Sequence, residues 1–145
     1  AKSWIEPRHI IDLGKVKDIP TSVFAELAKK SNPDVNAISM RVLSKRGDEG
    51  ASFLLEVIDE HKNGAVAAQA LKHLAELRKK KSLPYFVKCL SHQKPEVRTV
   101  AVELVGRFGT RRKNIGDVMP LREDKSPTVQ LAAFVATYKL AKKRR

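Results

Sequence analysis

The sequence predicts an all-α chain in which four helical hairpins, about eight helices, stack into an α-solenoid behind a short N-terminal cap. Three observations predict it. Val35 follows Asn32-Pro33-Asp34, Val66 follows Asn63-Gly64-Ala65, Val97 follows Lys94-Pro95-Glu96 and Val129 follows Ser126-Pro127-Thr128, at intervals of 31, 31 and 32 residues. The register persists inside the segments: a small residue stands four positions after each Val (Ser39, Ala70, Ala101, Ala133) and an apolar one five after it (Met40, Leu71, Val102, Phe134). Finally, each segment is preceded by a second amphipathic stretch, at Val23–Leu27, Phe53–Ile58, Tyr85–Leu90 and Val118–Leu121. One amphipathic helix cannot bury its own stripe, whereas stacked hairpins of this period bury a continuous core.

Taken in order, residues 1–19 form the cap. Trp4, Ile5, Ile10, Ile11, Leu13 and Val16 are too apolar for a free tail, and Gly14 and Pro20 punctuate its exit. Trp4 reads as a packing residue rather than a docking aromatic. The repeat domain spans 20–145, with second helices near 33–46, 64–80, 95–108 and 127–141. Its first helix, Thr21–Lys30, takes Thr21 or Ser22 as N-cap. Gly47 and Gly50 mark a turn, and Ala51–Lys62 opens the second hairpin with an acidic patch in Glu56, Asp59 and Glu60. The third runs Pro84–Ser91 and Pro95–Phe108. Pro95 suits a first helical position, Val97, Val100, Ala101, Leu104, Val105 and Phe108 form the stripe, and Gly109 supplies a left-handed stop. The fourth opens with Arg111-Arg112-Lys113 and a loop through Gly116, followed by a short helix near Asp117–Glu123 that Pro120 kinks or begins. The last helix, Thr128–Leu140, is apolar nearly all round at Leu131–Ala136, where a terminal solenoid helix should turn a polar face to water. Contact with a further repeat, a partner or a second copy accounts for that, as does an Ala-rich side that is only weakly apolar.

The pattern resembles the HEAT-repeat family, and more closely its short variety of about 31 residues related to the HEAT-like repeats of phycobilin lyases. Pro95, Val97, Arg98, Ala101 and Leu104 carry the resemblance in the third unit, and Pro127, Val129, Ala132 and Ala133 in the fourth. Gly64 departs from it by replacing Pro, and the Arg98 position holds Asn36, Ala67 and Gln130 in the other units. The resemblance implies a binding or scaffold module that presents an extended surface to other proteins. Alkylpurine DNA glycosylases share HEAT-like repeats, but their catalytic acid and aromatic residues match no positions here, so a glycosylase-like or lyase-like enzyme is only an analogy of fold.

The chain has 145 residues, 42% of them hydrophobic and 31% charged, which is ordinary for one elongated helical core. No run reaches the roughly 18 apolar residues of a membrane span and the start lacks a secretory core, so an intracellular location, cytoplasmic or nuclear, is expected. The single Cys89 lies in an apolar helical run and reads as a buried, inert thiol.

Charge is the functional clue. Lys and Arg number 29 against 16 Asp and Glu, a formal charge of +13. The basic residues cluster where each second helix exits: Lys45 and Arg46; Arg78, Lys79, Lys80 and Lys81; Arg107 with Arg111, Arg112 and Lys113; and Lys142, Lys143, Arg144 and Arg145 with Lys139. Stacked about 8–10 Å apart, these clusters would line one edge over roughly 30 Å. The helix dipole favours one or two cations per last turn, and runs of four at 78–81 and 142–145 exceed that. The expected partner is an acidic protein surface or segment. The alternative is sequence-nonspecific DNA or RNA, which offers on the order of eighteen phosphates over that length. Few aromatics are placed to stack unpaired bases. Arg41, Lys72 and Arg98, on polar faces of second helices, are secondary candidates for a concave face.

Catalysis has little support. His9, His61, His73 and His92 share no metal-ligand spacing with one another or with Cys89, and the glycines lie at hairpin turns rather than in a phosphate loop. Asp59-Glu60 and Glu123-Asp124 fall beside lysines at helix ends, where solvated ion pairing is ordinary. No catalytic residue, metal or cofactor is expected.

Overall fold

The computed structural model describes residues 18–30 and 32–144, which form α-helices, short 3₁₀ turns and their connections. No strand occurs among the described residues. Apart from Asp18 and Ile19, the cap expected over 1–19 lies outside them, as does Arg145. The chain divides into two compact units, residues 1–77 and 78–145.

The first unit contains α1 (Thr21–Ala28), α2 (Pro33–Leu43), α3 (Gly47–Glu60) and α4 (Gly64–Arg78, whose last residue begins the second unit). Helix α1 packs against α2 and α3, and α2 against α3, enclosing Phe24, Met40, Leu43, Leu54 and Ile58. Asn32 and Asn63 start the second helices. The Asn32 side chain accepts from the amides of Asp34 and Val35 at 3.0 and 3.2 Å, and Asn63 from those of Ala65 and Val66 at 2.9 and 3.3 Å.

The second unit contains α5 (Leu83–Lys88), continued by a 3₁₀ turn at Cys89–Ser91, then α6 (Pro95–Phe108), α7 (Arg111–Val118) with a 3₁₀ turn at Met119–Glu123, and α8 (Pro127–Lys142). Helix α6 packs against α5, α7 and, most extensively, α8. Gly106 permits the last contact, since a Cβ there would lie 3.0 Å from that of Ala136. Phe86 meets Phe108 with ring centroids 6.1 Å apart. The repeat register carries over into burial: Ser39, Ala70, Ala101 and Ala133 all have no exposed surface.

Local expectations fail where side chains have other partners. Helix α1 begins after Pro20 with no side-chain cap, because the Thr21 hydroxyl is buried and accepts from Arg46 Nη1 at 3.1 Å. Helix α3 starts at Gly47, four residues before the expected Ala51; Gly47 itself takes φ +60°, and Gly50 lies inside the helix. Helix α4 stops at Arg78 because Lys79 turns into the left-handed region, at φ 49°. Gly109 is not a left-handed stop. Its backbone is extended (φ −77°, ψ 175°), and it is Gly because a Cβ would meet Val105 O at 2.5 Å and Asn114 Oδ1 at 2.8 Å. Arg111–Lys113 belong to a helix rather than to a loop. Thr110 caps it, accepting from the Lys113 amide at 3.2 Å, while Asn114 Oδ1 reaches back to accept from the Thr110 amide at 2.9 Å.

Candidate functional site

In the first unit, the Lys45–Arg46 pair separates into two roles. Lys45 is exposed. Arg46 donates from Nη1 to Ile19 O at 2.9 Å as well as to Thr21, and its guanidinium lies 5.2 Å over the Phe24 ring. It ties the start of α1 to the α2–α3 corner. Arg41 and Lys72 are exposed.

In the second unit several of the candidate cations converge. Lys79, Lys80 and Lys81 are exposed on the 3₁₀ turn that follows half-buried Arg78. Lys143 donates from Nζ to Arg107 O at 2.8 Å and to Gly109 O at 2.7 Å, so the chain end is held against the α6–α7 corner. Its ammonium is held below the usual lysine value, first by burial and then by the charge of Lys80. Lys80 therefore shares the neighbourhood of Arg107 and Lys143. Arg107 is exposed and stacks 4.9 Å over Phe108. Arg111, Arg112 and Lys113 are exposed in the first turn of α7. The dipole disfavours cations there by about 0.3–1 kcal/mol each, whereas just past the exit of α6, where the sequence placed them, its sign would have favoured them. Lys142 lies 4.8 Å over the Tyr138 ring, and Arg144 is exposed.

Arg98 has a different task. Its Nε and Nη2 donate to Asp124 Oδ2 and Oδ1 at 2.9 and 3.0 Å, and Nη1 donates to His92 O and Gln93 O at 2.8 and 3.1 Å. The bonds from Arg98 to the carboxylate are the main cause that holds the Asp124 carboxyl below its ordinary value. The same repeat position acts alike elsewhere. Asn36 Nδ2 donates to Ala28 O at 2.7 Å, and also to Leu27 O and Lys30 O, while Gln130 Nε2 donates to Asp124 O at 2.6 Å. Each side chain ties down the end of the preceding helix or turn, whose carbonyls have lost their helical partners. Ala67 carries no such donor.

A second set of loop residues was equally unmarked in the sequence. His61, His92 and Asp124, in register, accept the backbone N–H two residues on: Asn63 to His61 Nδ1 at 3.0 Å, Lys94 to His92 Nδ1 at 3.1 Å and Ser126 to Asp124 Oδ1 at 2.9 Å. Two of the four histidines thus shape turns. Among the described residues no group of three or more His, Cys, Asp and Glu is arranged to hold a metal ion, and Cys89 is buried. A groove of about 810 Å³ between α2, α3 and the start of α4 carries both signs of charge, with Lys29 Nζ and Glu56 Oε2 paired at 3.3 Å beside it.

A model of HEAT repeats matches residues 51–136, more than half of the chain. The chain belongs to the HEAT-repeat family. The match includes the Val-led segments of the second and third units, with Val66 and Val97, and the beginning of that of the fourth, with Val129, together with the Arg98–Asp124 tie. Searches of curated proteins and of solved structures returned no match. HEAT repeats are generally protein-interaction scaffolds and usually non-catalytic, and no helix among the described residues is long and apolar enough to cross a membrane.

Proposed function

We propose that this HEAT-repeat chain is a non-enzymatic scaffold whose basic corner in the second unit engages an acidic segment of a protein partner. The exposed placement of Arg111, Arg112 and Lys113 in the first turn of α7 carries the reading. Three adjacent cations at a helix N-terminus repel one another and the dipole, and no capping requirement explains them. Lys80, Arg107 and Lys143 add to the same field. The mechanism is recognition by charged hydrogen-bond donors on a preformed surface, which speeds encounter and rejects basic partners more than it adds raw affinity. The second reading is sequence-nonspecific DNA or RNA along the same cations, favoured by the formal charge of +13.

The test is binding of a labelled oligo-glutamate peptide and of single- and double-stranded DNA and RNA across a salt series. The parent is compared with a variant carrying Arg111→Glu, Arg112→Glu and Lys113→Glu. Peptide binding lost in the variant, with nucleic acid held only at very low salt, supports a protein partner. Micromolar nucleic-acid binding near physiological salt, lost in the variant, reverses the order of the two readings. If the variant binds every probe as the parent does, the corner is not the site.

A further inference from the structure

The outer face of α8 is apolar yet exposed, on the side away from the residues that the helix buries. Val129, Ala133, Ala136 and Leu140 make the face that α8 buries. At 100° per residue, Leu131, Phe134, Val135 and Tyr138 fall on the opposite side, and they are 67%, 55%, 45% and 62% exposed. The repeat register shows that this is a packing face. The residues five and nine positions after the leading Val are Met40 in α2 and Ser44 just after it, Leu71 and Ala75 in α4, and Val102 and Gly106 in α6, all of them buried. In α2 and α6 another helix covers these helices: α3 packs on α2 and α8 on α6. Their counterparts in α8 are the exposed Phe134 and Tyr138.

The rim of this face is basic. Arg122 stands over the Phe134 ring at 5.4 Å, and Lys142 over the Tyr138 ring at 4.8 Å. Lys139 lies on the other flank, beside Val135. Next to Phe134 a groove of about 490 Å³ is lined by Met119, Pro120, Arg122 and Glu123, large enough for an apolar side chain. A second copy would bring its own charge of +13 to this rim, which counts against self-pairing.

We propose that the outer face of α8 docks an amphipathic helix of a partner protein, with an apolar stripe of i, i+3, i+4, i+7 spacing flanked by acidic residues. Its large apolar side chain enters the groove at Phe134, and its carboxylates pair with Arg122 and Lys139. This face is made by α8 and the Met119–Glu123 turn rather than by the first turn of α7, and the proposal stands without the reading of the basic corner.

The probe is a labelled helical peptide with Leu at i, i+3, i+4 and i+7 and Glu on both flanks, set beside the same peptide with Lys flanks, both read by fluorescence anisotropy. The Glu peptide should bind with Kd on the order of tens of micromolar and the Lys peptide at least about tenfold more weakly. Phe134→Ser with Tyr138→Ser should weaken the Glu peptide about tenfold or more, and Arg122→Glu with Lys139→Glu should do so with every apolar side chain of the face retained. Phe134, Tyr138 and Lys139 are exposed and Arg122 is half-buried, and matching circular-dichroism melts establish that the variants fold. Binding unchanged in both variants, or no binding of the Glu peptide, overturns the proposal. So does binding lost with the Arg111–Lys113 reversal alone, which would place the peptide on the basic corner. Concentration-dependent dimerisation abolished by Phe134→Ser with Tyr138→Ser would make a second copy the occupant and overturn it as well.

Discussion

Ser39 is the one member of its register set that is not alanine, and its fully buried hydroxyl has no hydrogen-bond partner. A buried hydroxyl left unpaired loses its bonds to water without replacement, and alanine is also the better helix former. Ser39→Ala should therefore stabilise the chain by about 1 kcal/mol, measured as a raised urea midpoint with an unchanged slope. A lowered midpoint would mean that the hydroxyl has a partner after all. His73 on α4 is a second buried polar residue. Burial is the largest cause holding its pKa below 6.5, Arg41 lowers it further, and Glu76, 3.8 Å away, opposes them. The folded chain thus keeps a neutral imidazole, while the unfolded chain takes up a proton near its ordinary pKa. The stability this contributes is complete above about pH 6.5 and is lost as pH falls through that value toward the lower folded pKa. Between pH 7 and pH 5 the parent should lose stability more steeply than His73→Gln; parallel curves would sink the assignment. The Asn36, Arg98 and Gln130 ties escaped the sequence because they share a donor, not an identity. Side chains of three lengths reach the same kind of carbonyl, and the departures from the repeat pattern looked like divergence. Arg98 resembled a concave-face cation for the same reason: nothing in the sequence pairs it with Asp124, 26 residues away.

At the scale of elements, periodicity decided what was legible: α1 and α5, short as they are, lie where their apolar stretches place them, whereas α7 and the start of α3 do not. Helix α6 runs over Pro95–Phe108 as its stripe and Pro95 imply. Helix α7 was missed because its pattern is weak: Arg111–Val118 offers only Ile115 and Val118 as large apolar residues, and its start depends on the reciprocal Thr110–Asn114 bonds. The basic run at 111–113 therefore moved from the exit of one helix to the entrance of the next, which changed the sign of its dipole energy. The start of α3 was missed for a steric reason that a glycine series exposes. A Cβ on Gly50 would lie 1.9 Å from Leu43 O, one on Gly106 3.0 Å from Ala136 Cβ, and one on Gly116 would meet nothing within 4 Å. Gly50→Ala should cost about 3 kcal/mol or more, because backbone at the α2–α3 corner must move. Gly106→Ala should cost about 1 kcal/mol as α6 and α8 part slightly. Gly116→Ala, in open space on a helix, should stabilise by about 0.5–1 kcal/mol. Thermal melts of the three variants would test the order, and a tolerated Gly50→Ala would refute the close approach.

For the whole molecule the decisive quantity is the imbalance of 29 basic against 16 acidic residues. Part of the attractive charge is sheltered from salt: Arg98 and Asp124 pair with side chains 16% and 13% exposed. Much of the repulsive charge is exposed, in Lys79–Lys81, Arg107 and Arg111–Lys113. Raising ionic strength from about 0.01 M to about 0.15 M shortens the screening length from about 30 Å to about 8 Å. It should therefore relieve repulsion more than it weakens attraction. The melting temperature is expected to rise with sodium chloride over that range by a few degrees, on the order of 1 kcal/mol. Replacing Arg111, Arg112 and Lys113 by Glu takes the formal charge from +13 to about +7 and should flatten the dependence. Phosphate at equal ionic strength separates diffuse screening from a site. If the corner merely repels itself, phosphate and chloride act alike; if its donors converge on an anion, phosphate stabilises the parent beyond chloride and loses that excess in the triple variant, by the linkage between binding and folding. A melting temperature that falls with salt would mean that the exposed cations already have partners within the fold, and the basic corner would then have no charge left to offer an acidic segment.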